Sequence, residues 1–90
     1  MMRVELFGMA RAIAGASHVE LAVDGPVDLR EFVRALADAV PGLVPDVVAP
    51  SRDAFVEPNL LLLDGRRAVR DGERFDRNDN PCVLFLASGG

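Results

Sequence analysis

Apolar and polar positions alternate over residues 3–7, with Val4 and Leu6 on one face and Arg3, Glu5 and Phe7 on the other. That two-residue period is the pattern of a half-buried strand. It returns over residues 18–23, where Val19, Leu21 and Val23 share a face. Between the two, Gly8 and Gly15 bracket an alanine-rich piece, residues 9–14, that is long enough for a helical turn. The two strands are therefore expected to pair as a hairpin with a wide connection. Asp24-Gly25-Pro26 closes the second strand, because proline has no N–H to give to a ladder.

The period then lengthens. Asp28 followed by Glu31 three positions later has the spacing of a capping box, and Leu29, Phe32, Val33, Leu36 and Val40 recur at 3.6-residue intervals. The spacing predicts a helix with Arg30, Glu31, Arg34 and Asp38 turned to water, ended by Pro41-Gly42. Burying one such Leu or Phe contributes about 1.5–3 kcal/mol, so the stripe has to dock on the sheet for a small domain to hold. Residues 43–58, with Pro45, Pro50 and Pro58 and no sustained period, read as a long loop with room for one helical turn. Residues 59–63 read as a strand, Asp64-Gly65 as a hairpin turn, and residues 66–69 as a short strand. Asp71-Gly72 and Asn78-Asp79-Asn80 mark further turns, and residues 82–86 are apolar on both faces, as in a central strand.

This order, two strands, a helix, a long connection and three more strands, predicts an α+β fold. One main helix lies on one face of a mixed sheet, with the last strand parallel to the first in its middle. That is the β-grasp, or ubiquitin-like, architecture. A single domain over residues 1–87 is expected, followed by a short tail, residues 88–90.

Charge narrows the partners. Fourteen acidic residues against ten basic ones leave a net charge of −4, which disfavours nucleic acid, since such binding depends on clustered positive charge. All ten basic residues are arginine, so no side-chain amine is present to which the carboxyl end of another copy could be joined. The single cysteine, Cys82, forms no intramolecular disulfide and suits a reducing cytoplasm. No signal peptide or membrane span is expected, because the start turns acidic at Glu5 and no apolar run is long enough.

The sequence closes on Ser88-Gly89-Gly90, directly after the last apolar strand. Glycine has no Cβ and a wide φ/ψ range, so such an end can be threaded through a channel too narrow for other residues and can deliver its carboxylate to a partner's active site. A frayed end without function is the plainer alternative.

Val4-Glu5-Leu6-Phe7-Gly8 with Arg11 and Gly15, then Val27-Asp28-Leu29, Asp64-Gly65, Asp71-Gly72-Glu73 and Ser88-Gly89-Gly90, in this order and spacing, resemble the MoaD/ThiS sulfur-carrier family of ubiquitin-like proteins. The early Leu-Phe-Gly and the arginine after it lean towards its molybdopterin synthase small-subunit branch. The resemblance implies that the chain is not an enzyme and binds no cofactor. An E1-like activating enzyme using ATP and magnesium would adenylate the Gly90 carboxylate, and a sulfur donor would turn it into a thiocarboxylate. The loaded tail, with Gly89 behind it, would enter the large catalytic subunit of molybdopterin synthase and give sulfur to a pterin precursor. Thiamine, cysteine and transfer-RNA thiolation are other routes open to a carrier of this kind.

Other functions stay open beside this one. A ubiquitin-like modifier joined through Gly90 to lysines of target proteins needs the same activated tail, whereas a plain β-grasp interaction module does not. The sheet face away from the helix is expected to be uncovered and to form a partner surface, with Phe7, Leu61, Phe85 and Ser88 as its candidate residues. Arg66, Arg67, Arg70, Arg74 and Arg77 suit either a solvated loop or a docking patch for an acidic partner. Cys82 reads as a packing residue and His18, the only histidine, as a solvated edge residue, not a metal ligand. Asp76 and Asp79 read as loop caps.

Overall fold

Strand β1 (Met2–Leu6) leads into a short helix α1 (Gly8–Ala14) and returns as β2 (His18–Leu21), and helix α2 (Leu29–Ala39) then crosses to β3 (Asn59–Leu63), β4 (Arg67–Ala68) and β5 (Pro81–Phe85). The computed structural model describes residues 1–85. The strands form one mixed sheet in the order β2-β1-β5-β3-β4. β5 lies parallel to β1, with Glu5 opposite Cys82 and Leu6 opposite Val83, and antiparallel to β3 along its whole length. This is the β-grasp fold, with the last strand at its centre.

Helix α2 starts where the sequence places it. The Glu31 N–H donates to Asp28 Oδ1 at 2.9 Å and the Asp28 N–H donates to Glu31 Oε1 at 3.3 Å, so both halves of the capping box form. Phe32, Val33, Leu36 and Ala37 are its buried residues, and they pack on Met2, Val4, Leu6, Leu21, Leu61, Leu63 and Val83 from the sheet. Ala10 of α1 enters the same core, so both helices cover one face of the sheet.

Two parts of the core lie outside the periodic segments. Leu43, Val47 and Val48 are fully buried, held by N–H groups of Val47 and Val48 that both donate to the Leu43 carbonyl, and by a bridge between Val48 and Phe55. The long connection is thus a packed loop after a single 3₁₀ turn at Pro41–Leu43. Phe75, between two turns, is also buried; it bridges to Val27 and its ring lies 5.5 Å from that of Phe32, centroid to centroid. β2 ends at Leu21, two residues before the expected limit, because the Val23 N–H turns back to the Leu21 carbonyl. Among the described residues, no helix is long and apolar enough to cross a membrane.

Candidate functional site

The sheet register decides which strand residues face outward. Leu61 pairs with Val83, and Val83 with Leu6, and all three are buried under the helices. Leu61, only 3 % exposed, is therefore a core residue, which corrects its expected place on the partner surface. The outward positions of β3 are its neighbours Leu60 and Leu62, both half-buried. A strand apolar on both faces gives no parity signal, and only pairing to β5 settles which leucines turn inward.

Two rows build the uncovered face. Glu5, Cys82, Leu62 and Ala68 lie side by side across four strands, and Leu84 lies opposite Leu60 in the next row. Phe7 extends that second row. Its backbone stays extended, its N–H donates to the Val83 carbonyl at 2.9 Å, and its side chain, 47 % exposed, alternates outward after Leu6. Phe7, Leu84, Leu60 and Leu62 thus make an apolar strip at the end of the sheet where β5 finishes.

Phe85, the last described residue, is 38 % exposed but has the parity of Val83, so it lies on the helix side beyond the end of the core, which corrects its expected place on the uncovered face. There it sits against Gly8. A Cβ on Gly8 would come within 2.9 Å of the Phe85 Cβ, and the Gly8 φ of +63° is itself one that other residues rarely adopt. The exposed Met9 and Ile13, one turn apart on α1, stand on the same helix. Phe7 and Phe85 therefore flank the end of the central strand from opposite faces. Ser88, Gly89 and Gly90 lie outside the described residues.

The remaining candidates divide clearly. Arg67 donates two hydrogen bonds to Glu73, at 2.9 and 2.6 Å, and the Arg70 N–H adds a third; together they hold the Glu73 carboxyl at about 2, well below the usual carboxylate range. Arg74 donates to the Pro26 carbonyl at 2.7 Å and to Glu31 at 3.4 Å. Two of the five clustered arginines thus tie loops together, while Arg66, Arg70 and Arg77 form no ion pair among the described residues. Cys82 is 8 % exposed, and burial pushes its thiol up, with the nearby Glu5 charge adding to the shift. A thiol so placed is a packing group, not a nucleophile. Asp79 accepts from the Asp76 N–H and Asp76 from the Asn78 N–H, so both acids cap the short turn before β5. His18 lies on the edge strand as expected, but it is half-buried and its Nδ1 is enclosed without a hydrogen-bond partner, where solvation was expected.

The fold and its uncovered sheet face define a ubiquitin-like β-grasp protein. SAMP1 from Haloferax volcanii has a crystal structure that matches with a TM-score of 0.78 and 27% sequence identity, over 99% of this chain and 98% of that one. A crystal structure of H. volcanii small archaeal modifier protein 1 matches with a TM-score of 0.77 and 24% identity, over 96% of this chain and 97% of that one. No protein-family model and no curated protein sequence matches the chain.

Proposed function

We propose that this chain is a cytoplasmic sulfur carrier, in which residues 1–87 form the carrier domain and residues 88–90 the chemically charged tail. The observation that carries the reading is the position of β5: a central strand, parallel to β1, which the sequence follows with Leu86-Ala87 and then Ser88-Gly89-Gly90. The apolar strip of Phe7, Leu84, Leu60 and Leu62, together with Phe85 on the other side, gives a partner enzyme a surface to grip at the end of β5. The likeness to SAMP1 over nearly the full length of both chains supports the same class.

A carboxylate is a poor electrophile until one oxygen becomes a good leaving group. An activating enzyme supplies this by joining the Gly90 carboxylate to the α-phosphorus of ATP, with magnesium, and releasing pyrophosphate. Attack by hydrosulfide from the sulfur donor at the carbonyl carbon then expels AMP and leaves a thiocarboxylate and a proton. The chain is a cosubstrate in this scheme and not an enzyme. Its leading partner is the large subunit of molybdopterin synthase, where a pterin precursor would take the sulfur, as the resemblance of Leu6-Phe7-Gly8 and Arg11 implies.

One observation favours a second reading. The structural neighbours are named modifier proteins, so attachment of Gly90 to lysines of target proteins is the alternative outcome of the same activated tail. ATP–pyrophosphate exchange by an E1-like activating enzyme tests the shared step. The full chain is expected to support exchange and a chain lacking Gly89-Gly90 is not. Equal exchange with both would leave only an interaction module.

A further inference from the structure

β2 is an edge of the sheet, and its free side has a regular polarity. The Leu6 N–H donates to the Ser17 carbonyl at 2.8 Å, which fixes the alternation of the antiparallel ladder. Val4–Val19 and Met2–Leu21 are then the hydrogen-bonded pairs, and Arg3–Glu20 and Glu5–His18 fall between them. The main-chain N–H and C=O groups of His18 and Glu20 therefore point away from β1. Among the described residues, no loop or turn takes them up.

The side chains at these two positions share the face opposite the core, since Leu21 is buried and Val19 packs against the core between them. Glu20 makes no ion pair among the described residues, because Arg3 across from it pairs with Glu5 at 3.4 Å. His18 has its Nδ1 enclosed, which leaves Nε2 as the nitrogen that can meet an outside partner. Beside this edge, Ala22, Ala35 and Ala39, with Met1, Glu20 and Asp38, line a concavity of about 350 Å³.

We propose that β2 pairs antiparallel with β2 of a second copy, about a two-fold axis through Val19. In this register His18 of each copy faces Glu20 of the other, and both pairs are of the hydrogen-bonded kind. All the free N–H and C=O groups of both edges are then satisfied, and each imidazole meets a carboxylate. Shifting the strands by two residues sets Glu20 against Glu20 or His18 against His18 and loses both imidazole–carboxylate pairs. Complementarity of charge and of hydrogen-bonding groups thus selects a second copy, in one register. β4, the other edge, offers only Arg67–Ala68 and is too short for such pairing.

Sedimentation equilibrium on the full chain up to about 1 mM, with amide hydrogen exchange followed residue by residue, tests this directly. The expected result is a concentration-dependent dimer in which the His18 and Glu20 amides gain protection. His18→Glu should weaken it by about tenfold or more, and adding Glu20→His should restore most of the loss by swapping the pair. Glu20→Pro removes an outward N–H without touching the β1 ladder and should leave a folded monomer. A chain still monomeric at the highest concentration overturns the proposal. So does a dimer indifferent to His18→Glu and Glu20→Pro, or protection of these amides only when a different protein is added.

Discussion

Gly8 and Phe85 touch where no other residue than glycine fits without movement: a Cβ at position 8 would lie 2.9 Å from the Phe85 Cβ. Gly15 is the internal control, because its φ of +68° nearly equals the +63° of Gly8 and a Cβ there would meet nothing within 4 Å. Gly15→Ala should cost only the left-handed backbone strain, about 1–2 kcal/mol. Gly8→Ala should cost more and disturb the end of β5 as well. Urea denaturation compares the two, and equal losses would show that Phe85 yields freely.

Phe7 stands on the uncovered face, away from the core. Phe7→Asp is expected to leave the melting temperature nearly unchanged and to weaken binding to the activating enzyme by about tenfold or more, the loss typical of a central apolar contact. Calorimetric titration measures this, and undiminished affinity would remove Phe7 from the partner surface.

Leu61 and Leu60 are adjacent and face opposite ways. Leu61→Ala should destabilise by about 2–5 kcal/mol through the cavity it leaves, and Leu60→Ala by clearly less. The reverse order would invert the assignment of the sheet faces.

Glu73 gives a pH signature. Its carboxyl is held at about 2 by Arg67 and the Arg70 N–H, below the ordinary value of 4.5. Because the folded-state value is depressed, its contribution to stability is fully present above the ordinary value and fades as pH falls towards the lower one. Glu73→Gln should therefore lower stability modestly at neutral pH and flatten the pH dependence in that acidic window. A variant with an unchanged profile would show that the Arg67–Glu73 pair adds nothing in solution, as exposed pairs often do.

Element order and the start of α2 were legible in the sequence because each rests on local signals: a two-residue or 3.6-residue period, the Asp28–Glu31 spacing and the Asp64-Gly65 turn. Leu43, Val47, Val48 and Phe75 were not legible as core, since prolines and turns around them break any period and their burial depends on contacts distant in sequence. Leu61 was misplaced for a related reason. In a run of four leucines the inward face is set by pairing to β5, which no local pattern reports. Phe7 could be placed, because the strand before it alternates with charged residues. The arginine cluster illustrates the same limit, as only the fold brings Glu31 to Arg74.

The central claim is that Gly90 accepts and passes on sulfur. Intact mass spectrometry of the full chain, after incubation with an E1-like activating enzyme, ATP, magnesium and a sulfur donor, tests it most directly. Exchange of one oxygen for sulfur, confined to the C-terminal peptide and absent when Gly89-Gly90 is deleted, is the expected result. An unchanged mass, in conditions where the enzyme charges another ubiquitin-like carrier, would contradict it.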